Sequence, residues 1–236
     1  MRLASEGEAV TGFDAVVFDL DDTLCRHTGD MAAAYRAAFD RVGTAPFGEP
    51  TELWAALDGP LDPDDAVGYL GTGFARMAAQ YDRPDVDPIA LAEALVGEID
   101  TAAVDFLPGA EAALEAAQSV GPVGVLTNGP ADRQRGKVEA LDLDERVDAV
   151  VYAGDLDRRK PHVDPFEQIV TALGVAAERT LHVGNSLEYD IAGAHNAGLL
   201  SVWLRTDGED AGDYRPEYVV DSLADVQAIL QRTTSR

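Results

Sequence analysis

The chain has 236 residues, of which 46% are hydrophobic, so it can bury a substantial core. Its 43 acidic and 18 basic residues give a formal net charge of −25, which argues against nucleic acid or an anionic membrane as a partner. The single cysteine excludes a disulfide framework, and without a long apolar run or a signal sequence we expect a cytoplasmic protein.

The first predicted element is a buried strand, Ala15–Phe18, which ends directly before Asp19. The interval that follows, residues 26–106, is punctuated by prolines and contains no convincing strand. Helical patterns cover Met31–Val42, Asp64–Tyr81 and Pro88–Val104. We therefore predict a helical insertion after the first strand, at the edge of the sheet where open α/β folds bind ligands.

Beyond residue 107, short apolar runs alternate with amphipathic segments. The predicted strands are Val123–Leu126, Ala149–Tyr152, Thr180–Val183, Ser201–Leu204 and Tyr218–Val220. The predicted helices are Gly109–Gln118, Ala131–Leu141, Pro165–Leu173, Tyr189–Asn196 and Leu223–Gln231. Short, continuously apolar strands separated by helices are typical of a parallel sheet covered on both faces, so the predicted fold class is α/β.

Two carboxylates follow the first strand, in the segment Asp19-Leu20-Asp21-Asp22-Thr23-Leu24. Carboxylates two positions apart at a strand end can divide a reaction between them. One can attack phosphorus, and the other can protonate the leaving oxygen and then activate water. Because phosphate is itself negative, a carboxylate nucleophile needs a divalent cation to offset the repulsion.

This segment resembles the first motif of the haloacid dehalogenase-like hydrolase superfamily, in its phosphatase branch with a helical cap between motifs one and two. The resemblance implies that Asp19 is the nucleophile and forms an aspartyl-phosphate, and that Asp21 is the acid/base. It implies Mg²⁺ bound by the Asp19 carboxylate and the Asp21 carbonyl. It also implies a Rossmann-like core of residues 12–25 and 107–236, with an all-helical cap of residues 26–106.

Two further segments match the family's second and third motifs. Thr127 and Asn128 follow a predicted strand and precede a helix, where a hydroxyl and exposed N–H groups suit a phosphate oxygen. We expect both residues to bind substrate. Lys160, one of two lysines in the chain, precedes Pro161 as in the third motif, and the resemblance implies that its ammonium holds the nucleophile and the phosphoryl oxygens.

The fourth motif begins after the strand Thr180–Val183 and contains two candidate metal ligands. Asp190 stands at a position that matches the family pattern. Asn185 stands where many members carry an aspartate, so it keeps an oxygen ligand but removes one negative charge. We expect both residues in the metal site, with weaker magnesium binding as the consequence of Asn185.

The function that these motifs imply is magnesium-dependent hydrolysis of a small phosphorylated metabolite. A carbon–halogen hydrolase of the 2-haloacid dehalogenase type is an alternative, because that branch carries asparagine in the fourth motif, although it usually lacks an acid at the position of Asp21. A phosphomutase is a second alternative, since a cap can hold an intermediate away from water. The sequence specifies neither the ester nor the oligomeric state.

Other reactive residue types receive structural interpretations. His182 lies inside a predicted strand and is expected in the core, and His195 is expected to face outward. Lys137 lies in a helical segment and receives no role, and Cys25 has no partner that would make it a nucleophile. The scattered acidic residues resemble the composition of proteins from salt-loving archaea, which predicts a halophilic source.

Overall fold

The structure is a computed structural model. It describes residues 2–3, 12–57, 65–206 and 208–234. The chain forms two compact units: Met1–His27 together with Val104–Arg236, and Thr28–Ala103. No helix in the described ranges is both long enough and apolar enough to cross a bilayer.

A seven-stranded sheet forms the centre of the first unit. The strands of the chain are β1 (Arg2–Leu3), β2 (Ala15–Phe18), β3 (Cys25–His27), β4 (Val104–Phe106), β5 (Val123–Thr127), β6 (Ala149–Tyr152), β7 (Thr180–Gly184), β8 (Leu200–Leu204) and β9 (Tyr218–Val220). The sheet order is β1-β9-β8-β7-β2-β5-β6. In this sheet, as the structure describes it, strands β2 and β5 to β9 are parallel, and β1 runs antiparallel to β9. The predicted α/β fold with a parallel sheet is confirmed.

Helices cover both faces of this sheet. The α-helices in the part of the chain that the structure describes are α1 (Met31–Val42), α2 (Pro50–Ala55), α3 (Ala66–Gln80), α4 (Pro88–Glu98), α5 (Ala110–Gln118), α6 (Ala131–Ala140), α7 (Val163–Leu173), α8 (Gly193–Asn196) and α9 (Leu223–Thr234). Along β2, Val16 and Phe18 pack into one apolar cluster with residues of α5 and α9. Ala15 and Val17 point to the other face and pack with residues of α7 and α8. Neither face of β2 meets water, and this explains why all four of its residues are apolar.

Two short strands that the sequence does not predict lie at the ends of the interval 26–106. Strand β3 pairs antiparallel with β4, with Cys25 opposite Phe106. The expectation that this interval contains no strand is wrong at these ends. Each strand has three residues and only its first is buried, so no alternating pattern marks either one. Both strands belong to the first unit, and the helical unit is correspondingly shorter than the predicted cap.

The second unit is helical in the residues described. Side chains of Tyr35, Phe39, Phe74, Met77 and Leu91 are buried together in its core. Aspartate side chains cap the N-termini of α1, α3 and α4. The third helix predicted in this region ends six residues early. It stops at Glu98 because the backbone of Ile99 is extended.

Candidate active site

The predicted site residues lie at one edge of the sheet because each follows the carboxyl end of a neighbouring strand. Asp19 follows β2, and its backbone N–H donates to the carbonyl of Val183 at 2.9 Å. Thr127 ends β5, Lys160 lies in the loop between β6 and α7, and Asp190 lies in the π-helical turn after β7. Since β7, β2, β5 and β6 are adjacent in the sheet, these loops meet at its carboxyl edge.

A buried ammonium group joins two carboxylates in this site. The Nζ atom of Lys160 lies 2.7 Å from Oδ1 of Asp19 and 2.7 Å from Oδ1 of Asp190. It also donates to the carbonyl of Leu126 at 3.0 Å. The Lys160 side chain is 2% exposed, so all three hydrogens of the ammonium are used inside the protein. In the described structure, Oδ2 of Asp19 makes no hydrogen bond.

One cation between two carboxylates leaves the site short of positive charge. Burial raises the pKa of Asp19 to about 7, because repulsion from Asp190 adds to burial and Lys160 offsets only part of the effect. Burial also acts to raise the pKa of Asp190, but Lys160 and a hydrogen bond from His182 hold it below its usual range. Burial would lower the pKa of Lys160, yet the two carboxylates outweigh burial and raise it. Lys160 is therefore protonated, and Asp190 carries the better compensated charge.

The position of Asp190 depends on the absence of a side chain at Gly184. A Cβ atom at residue 184 would lie 2.3 Å from Cγ of Asp190, which is closer than carbon atoms approach. The Oδ2 atom of Asp190 accepts from the N–H of Ser186 at 2.9 Å, and His182 lies 3.1 Å from its Oδ1 atom. His182 is fully buried, and burial lowers its pKa, so it is neutral and donates through Nε2. The core placement expected for His182 agrees with this structure.

Asp21 contacts two side chains of α6. Lys137 donates to Oδ1 of Asp21 at 2.5 Å, and Nε2 of Gln134 donates to Oδ2 at 2.7 Å. The same Nε2 atom lies 3.2 Å from Oγ1 of Thr127. Lys137, for which the sequence predicts no role, thus contacts Asp21, and Gln134 is a further residue at the site that no motif indicates. Their one-turn spacing on α6 is the sequence signal that both side chains share a face.

Thr127 and Asn128 use their polar atoms differently. Oγ1 of Thr127 accepts from Gln134 and from the N–H of Gly129 at 3.2 Å, so its own hydrogen is left to donate. The side chain of Asn128 bonds to the backbone of Lys160 in both directions. That side chain is therefore committed to the lysine loop, which leaves the backbone as the part of Asn128 that could meet a substrate.

Asn185 lies beside the loop that carries Asp19 and Asp21. Its Oδ1 atom accepts from Oγ1 of Thr23 at 3.3 Å, and its backbone carbonyl accepts from Nε1 of Trp203 at 2.9 Å. Among the residues that the structure describes, no three His, Cys, Asp or Glu side chains surround a common point. A Mg²⁺ ion here would take its other ligands from carbonyl oxygens and water, and Mg²⁺ readily keeps several waters. Carboxylate oxygens are ligands that Mg²⁺ prefers, and Asp19 keeps one that makes no hydrogen bond in the described structure, whereas both oxygens of Asp190 already accept hydrogen bonds.

Cys25 lies close to the site but does not have the chemistry of a nucleophile. Its side chain is fully buried in the core of the first unit. Burial raises the pKa of the Cys25 thiol to about 12, and the nearby carboxylate of Asp21 adds to the effect. A thiol with this pKa is protonated at neutral pH, so it is unreactive.

Comparison with known proteins places this geometry in a family. Residues 13–198 match the model for haloacid dehalogenase-like hydrolases. The pyrimidine 5'-nucleotidase YjjG of Escherichia coli (strain K12) is 27% identical over 223 residues, which cover 92% of this chain and 98% of that protein. The phosphoglycolate phosphatase of Escherichia coli (strain K12) is 28% identical over 232 residues, which cover 91% of each.

Solved structures share the fold over nearly the whole chain. The hydrolase YfnB of Bacillus subtilis, solved bound to magnesium, superposes with a TM-score of 0.70 at 23% identity, covering 93% of this chain and 99% of that one. A 2-haloacid dehalogenase of Pseudomonas syringae pv. Tomato DC3000 superposes with a TM-score of 0.61 at 26% identity, with the same coverage. The family match covers strands β2 and β5 to β7 of the sheet and all four motifs, and the chain belongs to the haloacid dehalogenase-like hydrolases.

Proposed function

We propose that the protein is a magnesium-dependent phosphatase that hydrolyses a small phosphate monoester through an aspartyl-phosphate on Asp19. The observation that carries this proposal is the arrangement of Asp19, whose Oδ1 atom is held by Lys160 while Oδ2 makes no hydrogen bond within the described structure. Two curated relatives that align over almost their whole length are a nucleotidase and a phosphoglycolate phosphatase, which supports a phosphate ester as substrate.

The first half of the reaction transfers the phosphoryl group to Asp19. An oxygen of the Asp19 carboxylate forms a bond to phosphorus, and the bond between phosphorus and the ester oxygen breaks. Asp21 gives its proton to that oxygen, which leaves as an alcohol. Lys160 offsets charge on the carboxylate and phosphoryl oxygens, and the Thr127 hydroxyl donates to one of the latter.

The second half returns Asp19 to its starting state. Asp21, now ionised, takes a proton from a water molecule as the water oxygen forms a bond to phosphorus. The bond between phosphorus and the Asp19 oxygen breaks, which releases inorganic phosphate and leaves Asp21 protonated for the next cycle. A carboxylate at position 21 therefore serves both halves, and this is why an amide there should stop turnover.

Asp19, Asp190 and the Asp21 carbonyl would hold the Mg²⁺ ion, and Asn185 is a further candidate ligand. When bound, the ion supplies positive charge that offsets repulsion between the Asp19 carboxylate and the phosphate. The raised pKa of Asp19 is consistent with this need, since Lys160 alone does not compensate both buried carboxylates. We expect Asn185→Asp to lower the magnesium concentration that gives half-maximal activity.

The helical unit, residues 28–103, is proposed to be the cap that the sequence predicts. Such a unit would select among phosphate esters, since the residues of the catalytic motifs are all in the other unit. Exchange of this segment for that of a relative tests the assignment. Substrate preference should follow the segment, and a preference that stays with the sheet unit would contradict the assignment.

A 2-haloacid dehalogenase is the second candidate, favoured by Asn185 and by the likeness to a solved dehalogenase at 26% identity. In that reaction Asp19 would displace a halide, and no acid would be needed for the leaving group. The carboxylate of Asp21, held on both oxygens by α6, is better accounted for by phosphate ester hydrolysis. Turnover of 2-chloropropionate with EDTA present would identify the dehalogenase.

The test is a panel of phosphate esters, including phosphoglycolate and pyrimidine nucleotides, assayed in concentrated KCl with Mg²⁺ or with EDTA. We expect the wild type to release phosphate from at least one ester, and only with Mg²⁺. Asp19→Asn and Asp21→Asn should reduce the rate to background. Asp22→Asn is the matched control, because it removes the neighbouring exposed carboxylate and should retain activity.

Mass spectrometry after acid quenching adds a direct measurement. We expect Asp21→Asn to accumulate a phosphoryl group on the peptide that contains Asp19, because loss of the base slows the second half of the reaction. No phosphate release from any ester, together with consumption of the halo-acid, would overturn the proposal.

A further inference from the structure

We propose that Gln134 and Lys137 are positioning residues that hold the carboxylate of Asp21 in place for proton transfer to the leaving oxygen. The inference rests on the function proposed above and adds two residues of α6 to it. Its basis is that both oxygens of Asp21 are held from α6: Oδ1 accepts from Lys137 at 2.5 Å, and Oδ2 accepts from Gln134 at 2.7 Å.

Burial makes these contacts more than a surface ion pair. The Lys137 side chain is 15% exposed, whereas that of Asp21 is 45% exposed. A largely buried ammonium therefore donates to a carboxylate that is partly open to solvent. Gln134 is 5% exposed. A buried amide has few alternative conformations, so it can fix the carboxylate that it contacts.

The orientation of the Gln134 amide follows from chemistry. In its ionised form, which the second half of the reaction requires, Asp21 only accepts hydrogen bonds, so the amide turns Nε2 toward Asp21 and Oε1 away from it. The Oε1 atom is then buried without a hydrogen-bond partner in the described structure. A buried acceptor without a partner opposes folding. We therefore infer that Gln134 serves the site through the hydrogen bonds that its Nε2 atom donates to Asp21 and Thr127.

Gly129 gives Gln134 the space that it occupies. A Cβ atom at residue 129 would lie 2.1 Å from Nε2 of Gln134 and 2.6 Å from its Cγ atom. Any side chain there would push the amide away from Asp21. The Asn-Gly pair after β5 therefore does more than form a turn, because its glycine leaves room for the residue that orients the acid.

The consequence is specific to the step that breaks the ester bond. A poorly positioned acid slows the departure of a basic alkoxide, which needs a proton, far more than the departure of a nitrophenolate, which does not. The ratio of kcat/KM for the two kinds of ester therefore reports the placement of Asp21, because kcat/KM covers the steps up to phosphoryl transfer. A general loss of structure would lower both values together.

The experiment compares 4-nitrophenyl phosphate with an alkyl phosphate in the wild type, Lys137→Met, Gln134→Leu and Gly129→Ala, all with Mg²⁺. We expect kcat/KM for the alkyl ester to fall by about tenfold or more in each variant, and that for the nitrophenyl ester by less than about threefold. Lys137→Arg should recover part of the loss. Arg135→Met is the matched control, since it removes an exposed cation from the same helix and should leave both values unchanged.

The outcomes separate this inference from the proposed function. Suppose that the wild type hydrolyses both esters. If the variants lose activity on the two esters equally, or lose activity on neither ester, then Gln134 and Lys137 do not position Asp21. If the wild type hydrolyses no phosphate ester, the proposed function is wrong and the inference falls with it. Lys137→Gln replaces Lys137→Met should the latter fail to show the wild-type circular dichroism spectrum.

Discussion

Asn128 and Lys160 are joined by two hydrogen bonds although 32 positions separate them in the sequence. Oδ1 of Asn128 accepts from the N–H of Lys160 at 2.9 Å, and Nδ2 donates to the carbonyl of Lys160 at 3.1 Å. The amide thus fixes the backbone of the residue whose ammonium contacts Asp19 and Asp190. The second and third motifs are coupled through this pair.

Replacement of Asn128 should misplace the lysine without removing it. We expect Asn128→Ala to lower kcat by about tenfold, because the ammonium is no longer held in line with the carboxylates. The free energy of unfolding should fall by about 1–2 kcal/mol with the two lost hydrogen bonds. Steady-state kinetics and urea denaturation measure the two effects. Asn196→Ala, at an exposed asparagine, is the control, and equal losses in both variants would refute the coupling.

Removal of the Lys160 ammonium should destabilise the fold in a pH-dependent way. Lys160→Met leaves two buried carboxylates without their cation, so we expect a loss of about 3–5 kcal/mol at pH 8. Without the lysine, the pKa values of both Asp19 and Asp190 rise, and the carboxylates protonate as the pH falls. The difference between wild type and variant should therefore shrink at pH 5.5. Urea denaturation at the two pH values measures this difference, and a constant difference would contradict the argument.

The ion pair between His195 and Glu217 should stabilise the sheet unit most at mildly acidic pH. Contrary to the expectation that it faces outward, His195 is half-buried and lies 3.1 Å from Oε2 of Glu217, which also accepts from Ser201. The hydrogen bond with Glu217 raises the pKa of His195. Burial acts to raise the pKa of Glu217, but the bonds from His195 and Ser201 outweigh it and lower the pKa.

The pH dependence of this stabilisation follows from the raised pKa of His195 and the lowered pKa of Glu217. A histidine with a raised pKa contributes fully below its unfolded pKa of about 6.5, and the contribution is lost as the pH rises through the folded pKa. Glu217, whose pKa is lowered, stabilises the folded state above its unfolded pKa, and this stabilisation is lost as the pH falls through its folded pKa. We therefore expect His195→Asn to cost about 1 kcal/mol near pH 5.5 and less at pH 8, measured by denaturation. Glu217→Gln should remove the same pH dependence, and a larger cost at pH 8 would show the reverse linkage.

The net charge of −25 predicts that salt stabilises the protein. Repulsion among carboxylates opposes the folded state, and added ions screen it. We expect Tm to rise by several degrees between about 0.1 M and 2 M KCl. Differential scanning calorimetry measures this shift. An equal rise in a variant with ten exposed acids replaced by their amides would assign the effect to something other than charge.

The strands and the motif residues could be predicted because each depends on local pattern. The run Ala15–Phe18 is apolar since the sheet buries it on both faces, and Asp19 marks its end. Parallel strands then dictate that the residues after β2, β5 and β7 meet at one edge. Strand ends predict the positions of Asp19 and Thr127, whereas Asp190 was expected because it matches the family's fourth motif after β7.

The remaining contacts depend on distances that a sequence does not contain. Lys137 and Gln134 reach Asp21 from a helix more than 110 positions away, and no local pattern links them. The commitment of the Asn128 side chain to Lys160 is likewise a tertiary hydrogen bond. Strands β3 and β4 escaped prediction because pairing between distant segments, rather than propensity, forms them.

The central position of β2 has a consequence for how the enzyme forms. Its neighbours are β5 on one side and β7 on the other, and Asp19 meets Lys160 across 141 positions of sequence. During synthesis Asp19 is made before its partners, because Lys160 follows it by 141 positions and Asp190 comes later still. A nascent chain that ends before Thr180 leaves one side of β2 open. The arrangement in which Lys160 joins Asp19 and Asp190 can therefore form only after the strands on both sides of β2 have been made.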